Sequence, residues 1–429
     1  MTTTHKILIA MAAGVLAGLP FSLFADALAG VKPFFVDGVL LVVGRLFVAL
    51  LQVIVVPLVL VSIVAGVTAL GDLRSLGRIG AKTLALYLLT TGAAVALALV
   101  VARVVDPGVG FEAAGAAAYE AREPPSLKEV LIDLVPANPV RALAEGQMLQ
   151  IIVFALLLGV AVGAAGEAGR RVARVCDDFN AVMLALVRIV ILAAPLGVFA
   201  LIARTFAEQG IDAFAPLAAY FAAVVVGLAA HVGLVYAGLL RLAGLSVRTF
   251  LAKTRAVMVF AFSTSSSNAT IPITLSTMEK RLGVPNEVAA FCAPVGATVN
   301  MDGTAIMQGV ATVFVANVYG VPLGFGDYIA VILTATLASI GTAGVPGAGL
   351  VMLAMVLTQV GLPVEGIGLI IGVDRLLDML RTAVNVLGDC MVACLVARSE
   401  RTLDLAMYAA SAPRDAADGL TSEPARDPR

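Results

Sequence analysis

A chain of 429 residues that is 60% hydrophobic, only 13% charged and has a mean hydropathy of +1.02 is too apolar to clothe a soluble fold of its size in polar surface. Its 28 basic and 29 acidic residues nearly cancel, so charge gives no reason to expect a nucleic-acid partner or a general attraction to acidic surfaces. The expectation is an all-α polytopic protein of the cell membrane, with the lipid bilayer as solvent.

The first apolar run, 7–29, follows Lys6 and lacks a clear small-residue cleavage site apart from an Ala-Asp-Ala near residue 26. It is expected to be a first span rather than a removed signal peptide. Further runs at 38–70, 80–105, 146–168, 177–206, 214–243, 288–319 and 365–397 each reach the ~20 helical residues a hydrocarbon core requires. Eight transmembrane helices result. The loop 106–142, acidic and containing prolines, is expected outside, and the polar tail 402–429 is expected to be disordered. Cys176, Cys292, Cys390 and Cys394 sit in or beside apolar runs with no metal-ligand spacing, and read as small core residues.

Two stretches, 255–279 and 326–361, are broken by Ser, Thr, Gly and Pro and do not read as plain spans. Arg74, Arg78 and Lys82 lie between spans two and three, Arg170, Arg171 and Arg174 between four and five, and Arg241, Arg248, Lys253 and Arg255 after six. The positive-inside rule places these, and both termini, in the cytoplasm. Lys280 and Arg281 are basic too, so both flanks of 255–279 fall on the inner side and the stretch must enter and turn back. The 326–361 stretch has no flanking Lys or Arg and suits a second re-entrant hairpin dipping in from outside. A hairpin followed by a polar-interrupted span thus occurs twice with opposite sense, at 255–319 and 326–397. Inverted repeats with broken helices are a common architecture of secondary transporters.

In span eight, Asp374, Asp378, Arg381, Thr382, Asn385 and Asp389 fall within an arc of roughly 100° at ~100° per residue. Each ionisable group at bilayer depth costs on the order of 2.5–3.5 kcal/mol, so such a stripe marks an ion or substrate pathway. In span seven, Asn300-Met301-Asp302-Gly303-Thr304 alternates polar side chains two apart, which cannot share one helical face. Unwinding there would free carbonyls for a hard-oxygen cation site with Asn300 and Asp302, backbone geometry a membrane protein tolerates only beside a cavity or ligand. Ser263-Thr264-Ser265-Ser266-Ser267-Asn268 and Ser339-Ile340-Gly341-Thr342-Ala343-Gly344-Val345-Pro346-Gly347 suit the two hairpin tips. Small residues there admit a ligand, and each following helix points free N–H groups at anions.

Together with Val-Pro-Ala-Asn-Pro at 135–139, this ordered set of motifs covers nearly the whole chain. It resembles the glutamate transporter family, the dicarboxylate/amino acid:cation symporters. The resemblance implies a homotrimer in which a scaffold (residues 1–70 and 106–212) holds a transport domain (71–105 and 213–401) that moves across the membrane as an elevator. It implies an acidic amino acid as substrate and sodium as the coupled ion. Arg381 would pair with the substrate's side-chain carboxylate, Asp378 would take its ammonium, and Ser266, Ser267, Asn385, Val345 and Gly349 would hold its α-carboxylate, with Thr304 and Thr382 lining the pocket. Gly296, Asn300, Asn385 and Asp389 match one sodium site. Thr298, Met301, Ser339, Ile340 and Thr342 match a second, built largely from backbone, and Tyr87, Thr90, Thr91, Asn300 and Asp302 match a third.

Three positions depart from the family pattern. Ser265 and Met379 stand where relatives carry an arginine, which leaves Arg375 or a hairpin group as the expected partner of Asp374. Gln308 replaces a glutamate that animal members use for proton and potassium coupling, so neither coupling is expected. Arg381 disfavours neutral substrates, because a buried guanidinium would stay unpaired, and Asp378 disfavours plain C4-dicarboxylates. An intramembrane protease is set aside for want of a Ser/His or Ser/Lys pair, with His5 and His231 far from these motifs in sequence. A purely passive channel would not accumulate substrate.

Overall fold

The computed structural model describes residues 3–69, 78–111, 132, 135–210, 214–340, 342, 344 and 347–410. Helices occupy all eight expected spans: Thr3–Leu23, Leu41–Ala69, Arg78–Val105, Met148–Ala164, Gly166–Gln209, Phe214–Ala230 continuing through Ala237–Leu242, Asn286–Val299 with Asp302–Val318, and Ile367–Ser399. No strand occurs among the described residues. Four stretches are each long and apolar enough to cross a membrane: Lys32–Leu50, Arg78–Val105, Ala215–Leu242 and Val364–Ser399. The chain is a multi-pass membrane protein.

Spans one, two, four and five pack chiefly on one another. Span one carries Gly14 and Gly18 against span five. A Cβ at Gly14 would approach the Phe199 carbonyl to 2.9 Å, and one at Gly18 would strike that of Ala203. Without a hydrophobic drive between helices in lipid, such close backbone approach supplies the packing energy. Span seven runs against spans three and eight, and span six and the first hairpin pack on span eight. Span eight, buried along most of its length, lies at the centre.

Both re-entrant hairpins form where the sequence predicts them. The first has arms Val247–Thr264 and Ser267–Lys280. Its turn is made by Ser265, a non-glycine residue in the left-handed region at φ 51°, followed by Ser266, whose hydroxyl accepts from the Ala269 N–H at 3.2 Å and caps the second arm. Lys253 near the start of this hairpin donates to the Arg281 carbonyl just past its end, at 2.9 Å. Entry and exit therefore lie on the same side. The second hairpin has arms Phe325–Ser339 and Ala348–Gln359, packed on span three and on spans two and four.

The expectation of a disordered tail from residue 402 needs correction over its first part. Residues 402–410 fold back onto the first hairpin, with a short helix Leu405–Ala409 capped by Asp404. Tyr408 is buried and donates to the Ser246 carbonyl at 3.0 Å, the Asp404 N–H donates to the Gly283 carbonyl at 2.9 Å, and Lys253 also donates to that of Met407 at 2.5 Å. The polar average of the whole tail made this segment look unstructured, but its own residues are mostly apolar and these three contacts dock it. Residues 411–429, like most of the loop 106–142 and Arg74, lie outside the described residues.

The start of span three is clasped to the end of span eight. Arg78 and Lys82 both donate to the Glu400 carboxylate, Lys82 at 2.7 Å. These hydrogen bonds hold the Glu400 carboxyl below its ordinary value of 4.5. Because the folded value is depressed, the clasp stabilises fully above the unfolded value and is lost as pH falls through the folded one. Glu400→Gln should accordingly lower the thermal midpoint near neutral pH, and the difference from the parent should shrink as pH falls through the depressed folded value. Unfolding curves of purified parent and variant across that range measure this.

Candidate functional site

Every member of the charged stripe on span eight is buried, with exposures from 0% for Arg381 to 7% for Asp378. The stripe meets three breaks in regular structure. Span seven is unwound at Asn300 and Met301, between Asn286–Val299 and Asp302–Val318. The two hairpin tips touch each other, the Ser266 hydroxyl and the Asn268 N–H both donating to the Gly344 carbonyl at 2.7 and 3.2 Å. A Cβ on Gly344 would come within 2.6 Å of the Ala297 carbonyl, so the unwound end of span seven abuts the second tip.

Between these breaks lies a narrow cavity lined by Ser265, Ser267, Met301, Thr304, Thr342, Gly344, Gly349, Asp378, Thr382 and Asn385, with a volume of about 20 Å³. That is room for about one water. An amino acid fits only if a tip moves. Of the expected substrate residues, Ser267, Thr304, Gly349, Asp378, Thr382 and Asn385 line this space. Arg381 lies behind it, its Nη2 donating to Asp378 at 2.9 Å, and Ser266 serves as cap and tip-to-tip contact. Val345 lies outside the described residues. Asn385 is fixed by accepting from the Gly303 N–H at 2.7 Å, and Thr382 donates to the Asp378 carbonyl at 2.8 Å.

Asp374 pairs with Arg381, Nη1 to Oδ1 at 2.9 Å, while Arg375 pairs with Asp378 at 3.1 Å. The expected Asp374–Arg375 partnership is therefore corrected. Asp374 and Arg381 are seven residues apart, and at ~100° per residue that brings both to one side of the helix while Arg375 points elsewhere. The Asp374 ion pair lacks hydrogen-bond alignment, and among the described residues Arg381 Nε and Nη1 and Asp374 Oδ1 are buried with no hydrogen-bond partner. Donors of this kind are suited to a carboxylate, since leaving them unpaired is costly. The hydroxyl of the fully buried Tyr220 of span six likewise has no hydrogen-bond partner among the described residues.

The residues of two expected cation sets are brought together. In the first, Asn300 Nδ2 donates to Asp389 at 2.8 Å and to the Asn385 carbonyl at 3.1 Å, and a Cβ on Gly296 would run into the Asp389 carboxylate. In the third, Thr91 donates to Asp302 Oδ1 at 2.6 Å, Thr90 lies 3.4 Å from the same atom, and Asn300 Oδ1 is buried with no hydrogen-bond partner among the described residues. Tyr87 borders both, its hydroxyl donating to the Cys292 carbonyl at 2.8 Å and its own carbonyl accepting from Thr90 at 3.1 Å. In the second set Met301 and Thr342 line the cavity and Ile340 is buried beside them. The hydroxyls of Thr298, Ser339 and Thr342 bond to carbonyls of their own segments, at 3.0, 2.7 and 2.6 Å. No group of three or more His, Cys, Asp or Glu suited to a metal occurs among the described residues, and hydroxyl, amide and carbonyl oxygens are hard donors suited to small hard cations.

Two residues at this site, His231 and Tyr236, carried no signal in the sequence. Asp302 Oδ2 accepts from Tyr236 at 2.7 Å and lies 3.1 Å from His231 Nε2. Both belong to span six, more than sixty positions earlier, and only the packing of span six on span seven exposes their part.

A buried, charged cavity between two hairpin tips and an unwound span, inside an all-helical bundle, defines a membrane transporter rather than an enzyme. The chain belongs to the sodium:dicarboxylate symporter family, whose model matches residues 4–399. It is 34% identical over 421 residues to a proton/glutamate-aspartate symporter of Escherichia coli (strain K12), covering 93% of each chain. It is 33% identical to a proton/sodium-glutamate symport protein of Bacillus caldotenax, over 83% of this chain and 87% of that one. A C4-dicarboxylate transport protein of Rhizobium leguminosarum is 31% identical over 95% and 90%.

Gly303 tests the geometry directly. A Cβ there would lie 2.5 Å from the Arg381 carbonyl oxygen and 2.8 Å from its Cα, both backbone atoms that cannot swing aside. Gly303→Ala should destabilise by about 1–3 kcal/mol and displace Arg381, read as a lower thermal midpoint and a loss of substrate binding.

Proposed function

We propose that this protein is a sodium-coupled symporter of an acidic amino acid, aspartate or glutamate, working by elevator-type alternating access. The observation that carries the substrate is the Asp378–Arg381 pair at the cavity. A carboxylate there meets an ammonium and a guanidinium meets a second carboxylate, which is the charge pattern of an amino acid with an acidic side chain. On this reading the substrate carboxylate takes up the Arg381 donors that Asp374 leaves without hydrogen bonds.

Sodium is favoured by the chemistry of Asp302 and Asp389. Among the described residues Asp389 has only the neutral Asn300 as a hydrogen-bonding side chain, and Asp302 has hydroxyls and one imidazole. Buried carboxylates of this kind need positive charge. Relatives carry names with proton alone or with proton and sodium together, and Gln308, buried in span seven, supplies no carboxyl for a proton. The packing of spans one, two, four and five as one group supports their role as scaffold for a homotrimer, and the rest of the chain, residues 71–105 and 213–401, is the moving part. Hairpin two is the gate, ordered by sodium, and both termini face the cytoplasm. C4-dicarboxylate transport is the second reading, favoured by the Rhizobium relative. It leaves Asp378 without an ammonium partner.

Labelled aspartate should accumulate in proteoliposomes only under an inward sodium gradient, and accumulation driven by a proton gradient without sodium would replace the coupled ion. Arg381→Ala should weaken acidic substrates about a hundredfold or more, because a buried charge loses its counter-ion; unchanged aspartate affinity removes Arg381 from the site. Asp378→Asn should abolish aspartate uptake. If succinate outcompetes aspartate in the parent protein, the dicarboxylate reading prevails.

A further inference from the structure

Span six contains a π turn, His231–Tyr236, between Phe214–Ala230 and Ala237–Leu242. In an α-helix, residues five apart point about 140° away from each other at ~100° per residue. The wider π turn, bonded i to i+5, brings them over one another, and such turns often mark functional positions. Here it delivers both ends of the turn to one atom. The Tyr236 hydroxyl donates to Asp302 Oδ2 at 2.7 Å and His231 Nε2 meets the same oxygen at 3.1 Å, the two rings lying edge to face with centroids 4.6 Å apart. An ionised carboxylate only accepts, so the imidazole hydrogen is assigned to Nε2 from this partner. Both residues are fully buried. The Tyr236 ring reaches the carboxylate because residue 388 is glycine: a Cβ there would collide with the Tyr236 hydroxyl.

The other oxygen of Asp302 faces a different group of atoms. Oδ1 accepts from Thr91 and lies near Thr90, and Asn300, two residues earlier in the unwound segment, has its Oδ1 buried with no hydrogen-bond partner among the described residues. We infer that His231 and Tyr236 are positioning residues of the coupled-cation site: by holding Oδ2 with two donors they fix the rotation of the Asp302 carboxylate and aim Oδ1 at the cation. Neither touches the cation. The role deepens the sodium reading and rests on it. A carboxylate held by one donor, or none, samples other rotations and presents its oxygen to the cation for a smaller share of the time. Outer partners of this kind typically contribute 10–100-fold in metal affinity.

The test is a sodium titration of aspartate binding to the purified full-length protein, read by thermal shift, with uptake in proteoliposomes as a second readout. His231→Leu and Tyr236→Phe should each raise the half-saturating sodium concentration roughly tenfold or more, while aspartate affinity at saturating sodium stays within about twofold. His231→Gln, whose amide nitrogen can take the place of Nε2, should restore most of the loss. Tyr236→Phe, which keeps the ring, provides the reading if His231→Leu fails to fold. Sodium half-saturation within twofold of the parent in both Tyr236→Phe and His231→Gln, with His231→Leu also unchanged or unfolded, overturns the inference and leaves the sodium reading standing. Equal losses in His231→Leu and His231→Gln overturn it too, because then the imidazole acts through something other than its donor. A parent protein indifferent to sodium sinks the cation reading itself and this inference with it.

Discussion

An ionised carboxylate taken out of water costs several kcal/mol unless partners replace its hydration, and this fold buries four aspartate carboxyl groups around one helix pair: Asp302, Asp374, Asp378 and Asp389. The surrounding structure can be understood as the partners they require. Arg381, fully buried, is shared between Asp374 and Asp378, and Arg375 adds a second cation to Asp378. Asp302 is met by two threonines, a tyrosine and a histidine, and Asp389 by an asparagine amide. The first pair is arranged around a positive charge supplied by the chain. The second is arranged with neutral donors, which is the condition for attracting a cation from outside.

The same requirement explains where regular helix is given up. An intact helix uses its backbone groups internally, so a membrane protein can offer carbonyls and N–H groups to a ligand only by breaking one. The chain breaks three segments at the same depth as its stripe: span seven at Asn300–Met301, and a hairpin tip from each re-entrant stretch. Glycines permit the contacts that result. Gly296 admits Asp389, Gly303 admits the Arg381 backbone and Gly388 admits Tyr236, and in each case a methyl group would occupy the space of the functional atom.

The eight spans, the two hairpins and the polar stripe were legible from the sequence because each follows from local pattern. Apolar length marks a span, Ser and Gly runs mark a tip, and polar residues three or four apart share a helical face. Unwinding at Asn300–Met301 followed from the same periodicity, since side chains two apart cannot share a face. The tail was the clearest failure. Averaged over 402–429 its composition is polar, yet residues 402–410 read Thr-Leu-Asp-Leu-Ala-Met-Tyr-Ala-Ala and dock through Tyr408 and two further contacts to backbone carbonyls, which an average over the whole tail hides.

Local pattern could not decide which charges pair. Asp374 has Arg375 beside it in the chain, yet it meets Arg381, because helical geometry carries neighbours to different faces and residues seven apart to the same one. Nor could it find His231 and Tyr236, which lie in a span whose sequence reads as ordinary apolar helix. They act on Asp302 only because a π turn brings them together and span six packs against span seven. The sequence by itself determined that charge is buried in this membrane protein, and on which helix. Tertiary structure alone decided which groups compensate that charge, because the partners come from segments distant in the chain and meet only when the helices pack.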